Sequence, residues 1–173
     1  MALMTGEQYI ESIKKIKMEI YMFGEKYNNP TESPILRPSL NSVRMTYDLA
    51  QMPEYEDLMT VVSPYTGTRV NRFTHIHQST EDLVKKAKML RVISQKIGTC
   101  YQRCVGFDAM NATYSVTYEI GQAMGTNYHE RFKKYLEYVQ ENDLMIARPM
   151  TIASARATWT RATPSTASWA ANA

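Results

Sequence analysis

Between residues 98 and 123, apolar side chains recur at helical spacing along two stripes. One reads Cys100, Cys104, Phe107, Asn111, Tyr114 and Tyr118, the other Val105, Ala109, Ala112, Val116, Ile120 and Ala123. A helix that is apolar on two sides packs on two sides, so this one is expected at the centre of a bundle. Gly98, Gly106 and Gly121 punctuate it, and their poor helix propensity is offset where another backbone or a ligand approaches closely.

The remaining segments read as helices around that centre, giving an all-α fold. Thr5 and Gln8 have capping-box spacing, and Ile10, Ile13 and Ile20 then recur on one face, predicting an amphipathic helix that ends near Gly24. Pro30, Pro34 and Pro38 mark residues 28–38 as a connecting loop. A second helix is expected over 39–51, stopping before Pro53, followed by a short turn at 55–59. Residues 60–73 change character: Val61, Val62, Tyr65 and Val70 flank Ser63-Pro64 and Thr66-Gly67-Thr68, the pattern of a short extended excursion or hairpin. Ser79 opens another helix, acidic first and basic afterwards. The last helix is expected over 128–141 with Phe132, Tyr135, Leu136 and Val139 inward, and residues 144–150 leave as a strand.

The chain has two cysteines, Cys100 and Cys104. On a helix that spacing stacks two sulfurs on one face, where they can share one soft metal centre, yet two ligands complete neither a tetrahedral zinc nor an iron–sulfur cluster. Read from spacing alone, they are small apolar core residues in preference to a metal pair. His75 and His77 stand one residue apart and read as solvent-facing or hydrogen-bonded side chains at a helix entry. The basic run Lys85, Lys86, Lys88, Arg91 and Lys96 reads as a solvated helix face, with coenzyme phosphates as the functional alternative.

An apolar fraction of 44% is that of a globular chain, and a net charge of +3 is too small to imply a nucleic-acid partner. No stretch reaches the length of a membrane span, and the alternation of charged and apolar residues from Glu7 onward does not resemble a secretory signal. A cytoplasmic setting with reduced thiols is expected. Two regions are delimited, a helical domain over 1–150 and an Ala/Thr/Ser-rich tail over 151–173. The tail lacks Lys, Asp and Glu, holds both tryptophans, Trp159 and Trp169, and is read as disordered.

Five motifs then carry a resemblance: Met4-Thr5-Gly6-Glu7-Gln8-Tyr9-Ile10-Glu11-Ser12, Tyr21-Met22-Phe23-Gly24-Glu25-Lys26, His77-Gln78-Ser79-Thr80, Cys100-Tyr101-Gln102-Arg103-Cys104-Val105-Gly106 and Gly125-Thr126-Asn127-Tyr128-His129. In order, over residues 1 to about 151, they resemble the N-terminal portion of the 4-hydroxybutyryl-CoA dehydratases. These belong with the flavin-dependent 4-hydroxyphenylacetate 3-hydroxylases and are similar in fold to the acyl-CoA dehydrogenases. The resemblance implies an α-helical N-terminal domain, FAD, and a 4Fe–4S cluster held by three cysteines and a histidine. Cys100 and Cys104 match two of those ligands. Met150 and Thr151 match the start of the flavin-contacting turn.

The implied reaction is dehydration of 4-hydroxybutyryl-CoA to crotonyl-CoA with isomerisation of vinylacetyl-CoA, in γ-aminobutyrate metabolism, by a homotetramer. The family's histidine and third cysteine lie downstream of this stretch. Ile152-Ala153-Ser154 also departs from the family after Thr151, a departure that a shifted reading frame explains, and an inactive truncated chain is expected. Two other classes remain open: a flavin-dependent hydroxylase without a cluster, which the cysteine pair argues against, and a non-catalytic helical interaction module.

Overall fold

The computed structural model describes residues 3–16 and 19–146. The expected tail over 151–173, and the part of the expected 144–150 strand beyond Ile146, lie outside the described residues.

Thr5 caps the first helix, α1 (Gly6–Lys15), its hydroxyl accepting from the Gln8 N–H while the Gln8 side chain accepts from the Thr5 N–H. The helix stops at Lys15, well short of Gly24. An antiparallel hairpin takes over, β1 (Ile20–Met22) pairing with β2 (Glu25–Tyr27). Its two-residue turn sets Phe23 at φ 53° and Gly24 at φ 81°. Two consecutive positive φ values match the twist of a tight hairpin, and Gly24 adopts one without strain. The motif expected to end a helix is therefore a β-turn, and the β-prone Ile20, Tyr21 and Tyr27 build the ladder.

After the proline-rich loop comes α2 (Arg37–Ala50), which accepts Pro38 in its first turn, where no N–H is needed. A single turn, α3 (Glu56–Met59), leads into β3 (Thr60–Val62), antiparallel to β4 (Arg69–Asn71), so the excursion expected over 60–73 is a hairpin. Three long helices complete the fold: α4 (Thr80–Ile97), capped by Ser79, then α5 (Cys104–Met124) and α6 (Tyr128–Glu141). The described residues are thus mainly helical with two small hairpins, and Leu144–Ile146 form no strand.

Three apolar clusters hold these elements together. Leu49, Met59, Phe73, Met89, Ile93, Tyr101 and Phe107 join α2, α3 and α4 to the start of α5. Ile76, Met110, Leu136 and Val139 join α5 to α6, and Tyr9, Val43 and Tyr47 join α1 to α2, the two tyrosine rings stacking at 5.2 Å. Burying a side chain of this size contributes roughly 1.5–3 kcal/mol.

The second apolar stripe of α5 is not buried among the described residues: Val116 is 50% exposed, and Ala112 and Ala123 are exposed as well. Among the described residues the packed face of α5 is that of Gly106, Phe107 and Met110, so within them α5 forms one wall rather than the centre. Tyr135, expected inward on α6, is also exposed. No helix among the described residues is long and apolar enough to cross a membrane.

Gly106 confirms the expectation of close approach. A β-carbon placed there would overlap the Ile146 carbonyl. Gly106→Ala should therefore destabilise the fold by about 1–3 kcal/mol, despite alanine's better helix propensity, because a backbone carbonyl must move. Denaturant titration is the measurement, and an unchanged or raised midpoint would refute the contact.

Candidate functional site

The candidate site is built where α4 ends and α5 begins. Gly98 closes α4, and the chain then turns through Thr99–Arg103 with Gln102 at φ 60°. Cys104 is the first residue of α5 and half-buried; Cys100 precedes the helix and is exposed. The expectation that the two sulfurs share one helix face is thus corrected, since the backbone bend between them replaces the helical turn. Neither cysteine is a fully buried core residue. Between them Tyr101 turns inward against Phe73, with ring centroids 5.9 Å apart. Burial pushes the Tyr101 hydroxyl up to about 12, with the neighbouring Cys104 and Cys100 adding to it.

Next to this bend lies the extended connector that carries His75 and His77. Two amides clamp it from the helices. Asn111 of α5 accepts from the His77 N–H at 2.9 Å and donates to the His75 carbonyl at 3.1 Å. Gln140 of α6 donates to the Thr74 carbonyl at 2.8 Å and accepts from the Ser63 hydroxyl at 2.6 Å.

The histidine rings are neither solvent-facing nor hydrogen-bonded, which corrects the sequence-based reading. His75 is 2% exposed, and all four ring nitrogens of the pair are buried without a hydrogen-bond partner among the described residues. Nε2 of His75 does lie 3.3 Å from Asp82 Oδ2, close in charge terms but out of line for a bond. The His77 ring meets the Phe107 ring edge-on at 5.0 Å, and the Lys86 ammonium sits 4.9 Å from the same ring centroid while pairing with Asp108.

Burial lowers the His75 pKa, opposed by Asp82; for His77 burial acts together with Lys86 and His75. Burial alone would raise the Asp82 carboxyl, but the Gln78 N–H, His75 and Arg72 outweigh it and hold it below its usual value.

Two arginines, invisible to pattern reasoning, are almost fully buried here. Arg72 donates to the carbonyls of Leu58, Asp57 and Thr60 at 2.7, 3.0 and 2.9 Å, and to Asp82 at 3.3 Å. Arg103 lies between the rings of Tyr47 and Phe73. The only hint in the sequence was Arg103's position between the two cysteines. The basic run on α4 is mostly engaged: Lys85 pairs with Asp57 and Glu81, Lys86 with Asp108, and Lys96 lies over the Tyr55 ring, while Lys88 and Arg91 are exposed. His129 meets the Thr117 hydroxyl at 3.2 Å and the rings of Tyr114 and Tyr118.

As metal ligands, the residues present supply two thiols from one bend, and among the described residues no group of three or more His, Cys, Asp or Glu converges. That donor set fits two positions of a cluster and leaves the others to be supplied elsewhere. Met150 and Thr151 lie outside the described residues.

Residues 5–163 match the family described as 4-hydroxyphenylacetate 3-hydroxylase N terminal, and the chain belongs to that family. The match runs on past Thr151 into the Ala/Thr/Ser-rich stretch. Within the family the chain is 57% identical over 149 residues to the 4-hydroxybutyryl-CoA dehydratase/vinylacetyl-CoA-Δ-isomerase of Clostridium aminobutyricum, a match covering 86% of this chain and 30% of that protein. It is 25% identical over 148 residues to the oxygenase component of 4-hydroxyphenylacetate 3-monooxygenase from Thermus thermophilus, covering 85% and 30%.

Among solved structures, an archaeal 4-hydroxybutyryl-CoA dehydratase from N. maritimus superposes with a TM-score of 0.80 at 46% identity, over 83% of this chain and 28% of that one. An oxygenase component of 4-hydroxyphenylacetate 3-monooxygenase complexed with FAD has a TM-score of 0.67 at 23% identity over 82% and 29%, a likeness of fold. The chain spans about 30% of the length of the relatives it matches.

The buried histidines predict an acid-sensitive fold. Unfolded histidine takes up a proton near 6.5, whereas His75 and His77 do so only at lower pH in the folded chain. Their contribution is fully present above that value and is lost as pH falls from it toward the depressed folded values. The melting temperature should therefore drop between about pH 7.5 and about pH 5.5, and His75→Gln should lessen the drop. Equal slopes for the variant and the parent chain would refute this. Asp82, also depressed, acts in a separate window below its usual 3.8.

Proposed function

We propose that this chain is the N-terminal helical part of an FAD- and 4Fe–4S-dependent 4-hydroxybutyryl-CoA dehydratase/vinylacetyl-CoA Δ-isomerase, a cytoplasmic homotetramer with an acyl-CoA dehydrogenase-like fold. The observation that carries this is the 57% identity to such an enzyme across 86% of the chain. The presentation of Cys100 and Cys104 together at the α4–α5 bend supports it. In this reading the two cysteines hold one side of the cluster, Met150 and Thr151 begin the flavin contact, and the remaining ligands come from residues beyond this stretch. When bound, the cluster would supply a Lewis acid toward the substrate hydroxyl and the flavin a one-electron oxidant.

The chain's own residues present and shield the site. Cys100 is open to an incoming group, while Tyr101 and Phe107 put apolar surface under the bend, excluding water from its inner side. Asn111 fixes the His75–His77 connector against α5, so the wall beside the cysteines is held by hydrogen bonds rather than by side-chain fit alone. The substrate of this reading is 4-hydroxybutyryl-CoA.

A second reading, the flavin-dependent hydroxylase branch, draws on the family match and the 25%-identical oxygenase. The cysteine pair weighs against it.

Anaerobic reconstitution separates the two. With two thiolates the 173-residue chain should retain fewer than about four irons after desalting, and Cys100→Ala should remove what is retained. A chain extended to the length of its relatives should hold the full complement and convert 4-hydroxybutyryl-CoA. Iron-free extended protein that binds flavin would favour the hydroxylase reading. FAD should also fail to bind the 173-residue chain, because a dinucleotide needs a cleft that buries most of its surface. Saturable quenching of flavin fluorescence at low micromolar concentration would contradict that.

A further inference from the structure

Arg103 stands directly beside Cys104 and is 1% exposed. Its guanidinium carbon lies 4.4 Å from the Tyr47 ring centroid and 4.7 Å from that of Phe73, and Nη1 donates to Thr46 Oγ1 at 3.1 Å. Nη2 reaches 3.9 Å from Asp143 Oδ1, a charge contact longer than a hydrogen bond, and neither of those atoms has a hydrogen-bond partner among the described residues.

The rest of Asp143 is engaged. It sits at φ 45°, its other carboxylate oxygen accepts from the Met4 N–H at 3.0 Å, and its carbonyl accepts from the Tyr47 hydroxyl at 3.0 Å. Three residues on, the Ile146 carbonyl presses against Gly106. The residue next to one thiol and the residue that starts the exit from α6 are therefore joined through a buried charge pair, while the exit itself lies on the first turns of α5. A buried, incompletely bonded cation is costly, and a planar guanidinium suits a slot between two rings in a way an ammonium does not.

We infer that Arg103 is a positioning residue: through Tyr47, Phe73 and Asp143 it locks the Cys100–Cys104 bend to residues 143–146 as they leave α6, so that the thiols and that segment keep one spacing. The role of the thiols rests on the function proposed above; the mechanical coupling does not.

The test uses the reduced 173-residue chain and two readouts, alkylation of Cys100 and Cys104 by iodoacetamide followed by mass spectrometry, and amide hydrogen exchange at residues 144–146. Asp143→Asn keeps the shape and the acceptor for Met4 but loses the charge. Arg103→Lys keeps the charge but loses the planar slot-filler. Each should raise both the Cys104 alkylation rate and exchange at 144–146 on the order of tenfold. The double variant should add little to either single one, because one unit has been broken once. Val70→Ala, a buried change outside the three apolar clusters, should leave both rates within about twofold and so controls for general loss of stability.

Cys104 labelling within about twofold of the parent chain in Asp143→Asn, or faster exchange at 144–146 without faster labelling, would overturn the coupling. Neither readout involves iron, so this inference and the cluster assignment fail separately.

Discussion

A guanidinium buried between two aromatic rings is the contact on which this arrangement depends. Tyr47 belongs to the cluster that joins α1 to α2, and Phe73 to the one that joins α2, α3 and α4 to the start of α5. Arg103 touches both, and Asp143 brings in the end of α6. A cation with this little solvent contact tolerates few placements, since losing either ring or the carboxylate leaves the charge in an apolar medium. Arg72 does a comparable job on the other side, drawing three carbonyls and Asp82 around one guanidinium, so that α3, β3 and the first turn of α4 share one set of hydrogen bonds. Polar contacts of this kind specify relative placement in a way that apolar burial, which is non-directional, does not.

The local signals in the sequence were readable because their physics is local. The capping box at Thr5 and the Ser79 cap are side chains bonding to backbone within one turn, and each stands where expected, as do the bounds of α6. The 60–73 hairpin was legible for the same reason, since its Ser-Pro and Thr-Gly turn residues determine the backbone directly. The expected first helix ran too far because Ile20 continues the helical period of Ile10 and Ile13, while the competing signal, a Phe-Gly pair with positive φ between β-prone residues, lies in only two positions.

Tertiary facts were not legible. Whether the second stripe of α5 is covered depends on what lies against it, and nothing in its spacing says so. The buried state of Arg72, Arg103, His75 and Asp143 depends on acceptors and rings far away in the chain, and charged residue types ordinarily mark the surface. The cysteines show the boundary most clearly. Their spacing led to a helix face, but the helix begins at the second of them, and the resemblance to a dehydratase rather than the geometry assigned them a ligand role.

The contacts of Asp143 carry a consequence for how such a chain comes into being on the ribosome. Met4, near one end of the described residues, bonds to a carboxylate 139 positions later, and Tyr47 to a carbonyl 96 positions later. Contacts so distant in sequence form late, because the intervening chain must be ordered first. At a synthesis rate of roughly 5–20 residues per second, α1 and α2 wait several seconds with Tyr9 and Tyr47 lacking their final partners. Over that interval the stacked tyrosines and the capped first turn are what α1 has to hold itself together, and the early chain offers chaperones an exposed aromatic surface that closes only when Asp143 emerges.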